Sequence, residues 1–172
     1  MTENKIRELI KEYPDFPKEG ILFKDLMPIL SNPETYKYLI NKMAESSICK
    51  RADNIIAVDA RGFLFATSIG LITGKPIIVA RKPGKLPGKL LEKSYELEYG
   101  KNSLSIQKEA LFDRDNFIII DDLLATGGTV KCISNILKNE GKKIVGLSVV
   151  VELESLKGRD KVNMEVDSIV KY

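Results

Sequence analysis

The sequence predicts an α/β protein with a mainly parallel, twisted sheet flanked by helices on both faces. Apolar runs such as Phe117–Ile120 lack polar alternation, which is typical of strands buried on both faces of a parallel sheet. Stretches with helical spacing separate these runs, as in alternating βα units. The length of 172 residues suits one domain with a sizeable core. We therefore expect a single domain over residues 1–172.

The N-terminal part, residues 1–32, is predicted to be a small segment ahead of the sheet, which we call the hood. It begins with a short helix, and Pro14 to Pro17 then break the helical pattern. Asn32 can cap the next helix and Pro33 suits its first turn. The apolar faces of the two helices are Ile6, Leu9, Ile10 and Tyr13 in the first, and Tyr36, Leu39, Ile40 and Met43 in the second.

A βαβ unit follows, with strand Ile55–Val58, helix Phe63–Ile72 ended by Gly74, and strand Ile77–Ala80. Residues 82–93 are rich in Lys, Pro and Gly, and we expect no regular element there. Residues 95–99 alternate and are predicted to pair with residues 104–106 across a loop at 100–103. We call residues 82–106 the flap and expect it to be a flexible hairpin.

The last part of the sheet is predicted to contain strand Phe117–Ile120, one helix and strand Ile144–Val151. The helix has apolar residues at helical spacing and can end at Gly141 in a left-handed cap. Its apolar face comprises Val130, Ile133, Ile136 and Leu137.

Composition excludes several kinds of chemistry. The sequence has no histidine, which excludes Ser-His-Asp and Cys-His catalysis and imidazole metal sites. Cys49 and Cys132 are expected to be buried thiols. A net charge of +3 is too small to indicate nucleic acid binding, and no apolar run approaches the length of a membrane span. The charged N-terminus favours a cytoplasmic protein.

The segment from Phe117 to Thr129, FIIIDDLLATGGT, carries the strongest functional signal. Asp121 and Asp122 follow the strand, and Thr126 to Thr129 lie at the predicted helix start. Backbone N–H groups there favour a phosphate, and two glycines let the backbone approach it. Carboxylates suit the vicinal hydroxyls of a ribose. The residues together predict a site for a ribose 5-phosphate, whereas each dipeptide alone is ordinary turn chemistry.

Two other segments offer cations or amides to an anion. Asp59 to Gly62 lies where a strand enters a helix, so its amides and Arg61 can face a phosphate. Between Lys75 and Lys93 six bases accompany one acid, which suits either a polyphosphate site or a solvated loop. No Gly-Lys pair completes a Walker A loop, and no G-x-G-x-x-G follows a strand.

FIIIDDLLATGGT resembles the phosphoribosyl pyrophosphate motif of the type I phosphoribosyltransferases, and its ending is most similar to members that act on adenine. Further similarity runs from about Tyr13 to Arg159. The resemblance implies a purine salvage enzyme that converts adenine and 5-phosphoribosyl 1-pyrophosphate to AMP and pyrophosphate. It implies a homodimer, and a Mg²⁺ cofactor held mainly by substrate and water.

The resemblance also assigns roles to residues. It assigns the phosphoribosyl group to Asp121, Asp122, Ala125, Thr126, Gly127, Gly128 and Thr129, and the pyrophosphate to Asp59, Ala60, Arg61, Arg81 and Lys85, with a cis peptide between Asp59 and Ala60. Adenine falls to Leu22, Phe23, Lys24 and Leu123, with Phe23 and Leu123 on opposite faces of the base. Glu98 is the implied catalytic acid/base, with Glu96 as its rival, and Tyr99 helps to close the flap.

Two other functions remain open at this point. One is a sibling transferase for a different base. The other is a non-catalytic sensor of phosphoribosyl pyrophosphate, although the chain has no spare region for a DNA-binding helix pair. A panel of bases separates the first from an adenine enzyme, and retention on nucleic acid without AMP formation indicates the second.

Overall fold

A computed structural model describes residues 2–97 and 100–172 of the chain. The strands are β1 (Lys11–Tyr13), β2 (Phe23–Asp25), β3 (Asn54–Val58), β4 (Ile77–Ala80), β5 (Leu90–Leu97), β6 (Gly100–Gln107), β7 (Phe117–Leu124), β8 (Ile144–Glu152) and β9 (Val166–Lys171). The α-helices are α1 (Glu3–Leu9), α2 (Met27–Leu30), α3 (Pro33–Glu45), α4 (Ser47–Arg51), α5 (Gly62–Thr73), α6 (Gly128–Asn139) and α7 (Gly158–Val162).

The main sheet is parallel and, within the described residues, has five strands in the order β4-β3-β7-β8-β9. From β3 the chain passes through α5 to β4 at one edge. From β7 it passes through α6 to β8 in the opposite direction. The loops after β3 and β7 therefore diverge at adjacent central strands, which leaves a crevice at the carboxyl ends of the strands. The fold places the segments after Val58 and Leu124 at this crevice.

Helices lie on both faces of the sheet, as the sequence predicts. On one face α3 and α5 pack against buried strand residues that include Ile55 and Ile118. On the other face α6 and the β5–β6 hairpin pack against residues that include Ile56 and Ile119. Because successive residues of β3 and β7 are buried on opposite faces, the runs Ile55–Val58 and Phe117–Ile120 within these strands are uninterrupted apolar residues.

Several predicted boundaries are confirmed. Strand β4 coincides with the predicted one, and α5 differs from its prediction by one residue at each end. The side chain of Asn32 caps α3 by accepting a hydrogen bond from the Thr35 backbone at 3.0 Å. At the end of α6, Gly141 has a φ of +71° and its N–H donates to Lys138. This is the predicted left-handed cap.

The predicted N-terminal helix is too long. Helix α1 ends at Leu9, and Tyr13 lies in β1 with 47% of its surface exposed instead of on a buried helical face. Strand β1 pairs antiparallel with β2, so that Tyr13 lies opposite Phe23. Ile10 is buried just beyond the helix, which extended the apolar pattern past the true end. The β1–β2 ribbon was not predicted.

The flap contains a hairpin, but its predicted boundaries are wrong. Strand β5 begins at Leu90, inside the stretch expected to lack an element, and residues 100–103 belong to β6 instead of a loop. The two strands pair from Leu90 with Gln107 to Leu97 with Gly100. The cause is packing, because Leu104 and Ile106 are buried against the sheet and hold the ribbon there. The flexibility of the flap stays a prediction.

Two further strand differences concern the sheet itself. Strand β7 continues to Leu124, so Asp121 and Asp122 lie within the strand and not beyond its end. The edge strand β9 was not predicted, because Asp167 and Ser168 interrupt its apolar pattern. Among the described residues, no helix has the length and apolar character that a membrane crossing needs.

Candidate active site

Two adjacent carboxylates lie at the centre of the crevice. Asp122 is 4% exposed, and its backbone N–H donates to Oδ1 of Asp121 at 2.9 Å. Oδ2 of Asp122 lies 2.8 Å from Nε of Arg61. The ion pair lacks hydrogen-bond alignment, so within the described residues this buried oxygen has no hydrogen-bond donor. A ribose hydroxyl could satisfy such a buried acceptor.

Burial changes the acidity of both carboxyl groups. It raises the pKa of Asp121 well above the usual value, and the neighbouring charge of Asp122 raises that pKa further. Burial also raises the pKa of Asp122, although the positive charge of Arg61 opposes the shift. Desolvation therefore outweighs the single cation. Carboxyl groups with such perturbed pKa values are typical of functional sites.

The candidate phosphate loop, residues 125–129, connects β7 to α6. Gly127 has a φ of +81° and lies at the start of α6, whose first turn also includes Gly128 and Thr129. A side chain at Gly127 would be strained by this backbone conformation. The start of α6 therefore offers the amide groups and partial positive charge that bind a phosphate.

The segment after β3 approaches the carboxylates from the neighbouring strand. The Asp59–Ala60 peptide is cis, as the resemblance implies. Nε of Arg81 donates to Oδ2 of Asp59 at 3.0 Å, and Nη1 donates to the Lys85 carbonyl at 3.4 Å. The backbone of Arg81 forms a β-bridge with Ser105 of the flap. Arg81 thus joins this segment to both ends of the flap.

Arg61 connects the acids to the hood. Its guanidinium carbon lies 5.1 Å from the centre of the Phe23 ring. Phe23 in turn meets the edge of the Phe16 ring, with the ring centres 5.1 Å apart. The planar cation of Arg61 therefore lies against the residue predicted to stack on adenine and, at the same time, against Asp122, which is predicted to bind the ribose.

The other predicted base-binding residues differ in exposure. Leu22 is 47% exposed, whereas Lys24 is buried. The Lys24 ammonium pairs with Glu12 and lies 3.7 Å from the centre of the Tyr172 ring. Its side chain holds the β1–β2 ribbon against the C-terminus, which is consistent with a role in which only its backbone reaches a base.

One cavity of about 270 Å³ brings together predicted residues from three segments of the chain, but residues 125–128, Phe23 and Arg81 are not part of its lining. Its lining includes Asp59, Ala60, Arg61, Asp121, Asp122, Leu123 and Thr129. The side chain of Lys85 is exposed and does not line it. Glu98 and Tyr99 lie outside the described residues, and nothing is described of the Glu96 side chain, so their roles stay predictions.

The structure adds residues that the sequence-based assignment missed. Lys82 and Leu104 also line the cavity. The sequence contained a signal for Lys82, because this residue stands between Arg81 and Lys85, which were both assigned to the pyrophosphate. A Cβ on Gly62 would lie 2.9 Å from the Ile120 carbonyl and 3.0 Å from Oδ1 of Asp121. Gly62 therefore lets α5 begin directly against the carboxylate pair. Among the described residues, no group of three or more His, Cys, Asp or Glu side chains could hold a metal ion.

Comparison with known proteins agrees with this geometry. The profile of the phosphoribosyl transferase domain matches residues 29–171. An adenine phosphoribosyltransferase of Prochlorococcus marinus strain MIT 9515 is 55% identical over 99% of both chains. An adenine phosphoribosyltransferase of Mycoplasmopsis pulmonis is 47% identical over 96% of this chain and 97% of its own.

Solved structures give the same result. The adenine phosphoribosyltransferase of Thermoanaerobacter pseudethanolicus superposes with a TM-score of 0.93 at 39% identity, covering 99% of this chain and 100% of its own. The yeast enzyme, solved with an iminoaltritol bisphosphate and adenine, has a TM-score of 0.87 at 35% identity over 97% of both chains. The fold and the site define a type I phosphoribosyltransferase. The chain belongs to this family, and within it to the adenine phosphoribosyltransferases.

Proposed function

We propose that this protein is a purine salvage enzyme that transfers the 5-phosphoribosyl group from 5-phosphoribosyl 1-pyrophosphate to adenine, giving AMP and pyrophosphate. The observation that carries the proposal is the single cavity that joins a buried carboxylate pair, the start of α6 and the Asp59–Arg61 segment. These groups match, in turn, the diol, the 5′-phosphate and the diphosphate of one activated pentose.

A direct assay tests this function. Protein, Mg²⁺, phosphoribosyl pyrophosphate and radiolabelled adenine are mixed, and AMP and pyrophosphate are measured as products. Hypoxanthine, guanine and other bases replace adenine in parallel reactions. We expect AMP from adenine and at least tenfold slower turnover of the oxopurines. Comparable turnover of an oxopurine would identify a sibling transferase, and binding of the sugar diphosphate without any product would identify a sensor.

Adenine specificity follows from the base edge. The exocyclic amine of adenine donates a hydrogen bond where the oxygen of hypoxanthine accepts one. We propose that backbone groups of Leu22 and Lys24 read this edge while Phe23 and Leu123 contact the two faces. A carbonyl acceptor that faced an oxopurine would be left unpaired, and sites of this kind discriminate strongly.

Catalysis at the anomeric carbon requires stabilisation of a departing pyrophosphate and of developing positive charge on the ribose. We propose that Arg61, Arg81 and Lys85 bind the diphosphate together with Asp59 and the Ala60 amide. The carboxylates of Asp121 and Asp122 hold the sugar and lie close to the charge that develops on it. Closure of the flap (residues 82–106) over the bound substrates would exclude water that otherwise hydrolyses the sugar diphosphate.

Mg²⁺ fits this arrangement as a partner of the diphosphate. It prefers oxygen ligands and often binds through substrate phosphates, water and one or two carboxylates. The cavity places Asp121 and Asp122 beside the proposed diphosphate site, so the donor set is suitable. When bound, the ion would neutralise charge on the leaving group, held mainly by the substrate and by water.

We propose Glu98 as the group that exchanges a proton with the imidazole ring of the purine, and Tyr99 as a residue that closes the flap. The sequence offers no histidine for proton transfer. Glu98→Gln and Glu96→Gln variants separate the two candidates in single-turnover measurements. We expect a loss of about 10² to 10⁴ fold for the true acid/base. A loss below about threefold for Glu98→Gln would exclude Glu98.

The protein is proposed to form a homodimer, and α5 offers a surface for it. This helix contains no charged residue between Gly62 and Thr73. Leu71 is 84% exposed and Ile72 is 52% exposed on its outer side. Burial of such an apolar surface against a second copy would stabilise a symmetric dimer.

The dimer is tested by sedimentation of two matched variants. Leu71→Lys should give monomers. Phe112→Lys should stay dimeric because Phe112, although 80% exposed, follows Leu111, which packs on the face of the sheet opposite α5. Dimers in both variants would exclude the α5 surface. We also propose a cytoplasmic location, since both cysteines are buried free thiols; cell fractionation tests it.

A further inference from the structure

Helix α7 lies directly against the phosphate loop. A Cβ on Gly158 would be 2.1 Å from the Ala125 carbonyl oxygen. A Cβ on Gly127 would be 2.9 Å from Cγ1 of Val162 and 3.0 Å from the Gly158 carbonyl oxygen. The two chain segments therefore touch backbone to backbone, with contacts from the first and the last residue of α7. Any displacement of α7 would move the loop.

Helix α7 cannot hold this position by itself. It spans five residues, far fewer than an isolated helix needs to be stable in water. Its second residue, Arg159, fixes it to the sheet through a two-pronged ion pair with Glu152. Nε of Arg159 donates to Oε1 at 2.8 Å, and Nη2 donates to Oε2 at 2.5 Å. Such paired hydrogen bonds define direction as well as distance.

Further hydrogen bonds hold this pair, including one from Nη2 of Arg159 to Oγ of Ser168 at 3.2 Å. Nη1 of Arg159 donates to the Val166 carbonyl at 2.8 Å, and Ser168 donates to Oε2 of Glu152 at 2.7 Å. Glu152 is 3% exposed, and the hydrogen bonds from Arg159 lower its pKa. The pair is therefore ionised, partly buried and held by β8 and the edge strand β9.

Glu152 also lies beside the amino-terminal end of the loop. In the sheet it is the register partner of Leu124, the residue before Ala125. The backbone N–H of Leu153 donates to the Leu124 carbonyl at 2.9 Å. The same carboxylate that anchors α7 is thus fixed next to the point where β7 becomes the loop. Glu152 and Arg159 consequently tie the two backbone supports of the loop together.

We propose that Arg159 and Glu152 are positioning residues for the 5′-phosphate, acting through α7 on residues 125–127. The inference rests on the proposed function, because it assumes that this loop binds the phosphate of the sugar. The loop sequence Ala-Thr-Gly-Gly has no charged side chain to fix its own position. Loss of the pair should therefore weaken binding of the ribose phosphate while sparing adenine, whose predicted contacts are residues 22–24 and Leu123.

The test compares Arg159→Lys, which keeps the charge but loses the fork, with Arg51→Lys, a surface arginine paired with Glu165. Glu152→Gln, close to isosteric, is a second variant in case the first does not fold. KM is measured for the sugar diphosphate and for adenine, and calorimetry measures ribose 5-phosphate binding without turnover. We expect at least a tenfold increase in the sugar diphosphate KM and in the ribose 5-phosphate Kd for both site variants. The adenine KM should change less than twofold, and Arg51→Lys should behave as wild type.

The outcomes separate the two proposals. Folded site variants with unchanged ribose 5-phosphate affinity, or with an equal increase in both KM values, would overturn the positioning role. A lower melting temperature with unchanged KM values and an unchanged ribose 5-phosphate Kd would show that the pair is only a structural contact. That result would also overturn the positioning role. Wild-type protein that binds ribose 5-phosphate but forms no AMP would reject the proposed reaction. A weakened calorimetric Kd in Arg159→Lys would still support the positioning role.

Discussion

Removal of the Arg61 side chain should strengthen adenine binding to the free protein. The Arg61 guanidinium carbon is 5.1 Å from the centre of the Phe23 ring, and its Nε is 2.8 Å from Asp122. Adenine that stacks on Phe23 must first displace this cation. The Arg61 side chain is 36% exposed, so the cation–π contact is worth about 0.5 to 1 kcal/mol. Arg61→Ala should therefore lower the adenine Kd by about two- to fivefold.

The assay is a calorimetric titration of adenine into protein without the sugar diphosphate. Arg81→Ala is the matched control, because Arg81 pairs with Asp59 and its guanidinium lies 5.6 Å from Phe63 instead of against Phe23. It should leave the adenine Kd unchanged. Added Mg²⁺ and pyrophosphate, which form no product with adenine, should also strengthen adenine binding in wild type if they draw Arg61 away from Phe23. Weaker or unchanged adenine binding in Arg61→Ala would refute the reasoning.

Two further predictions concern the carboxylate pair. Gly62→Ala places a Cβ 2.9 Å from the Ile120 carbonyl, so it should lower the free energy of unfolding by about 1 to 3 kcal/mol in urea titrations. Asp121→Asn should raise the melting temperature at pH 7 while reducing activity. Burial raises the folded-state pKa of Asp121, so the folded protein binds the carboxyl proton more tightly than the unfolded chain does. The protein therefore loses stability as the pH rises from the unfolded-state pKa of about 3.8 towards the raised folded-state pKa.

The control for Gly62→Ala is Lys37→Ala, an exposed substitution in a helix, which should change the unfolding free energy by less than about 0.5 kcal/mol. A similarly small change in Gly62→Ala would show that the start of α5 can shift to make room for the methyl group. The melting temperatures of Asp121→Asn and wild type should converge near pH 4. A difference that does not change with pH would mean that the charge of Asp121 is not the cause.

The sequence predicted the parts of the fold whose signals are local. The apolar runs of β3, β4 and β7 and the capping residues Asn32 and Gly141 specify their own conformations. The turn from β7 into α6 was also predictable, because two adjacent glycines after a buried strand suit a helix start; its role as a phosphate site stays a prediction. Arg61 was assigned to the anion site from its position alone.

Distant contacts account for the errors. The hairpin boundaries depend on Leu104 and Ile106, which are buried only because the sheet lies beneath them. Ser168 and Asp167 interrupt the pattern of β9, yet Ser168 hydrogen-bonds Glu152 across the sheet edge. Neither pairing can be inferred from residues that are neighbours in the chain.

By itself the sequence determined the fold class and the strand-turn-helix conformation of the central motif, since hydrophobic period and turn residues act over a few positions. Only the tertiary structure decided which groups meet. It placed Arg61 between Phe23 and Asp122, Gly62 against Asp121, and α7 against residues 125–127. These contacts arise because β3 and β7 are adjacent while their helices leave in opposite directions, a relation that packing of the whole chain establishes.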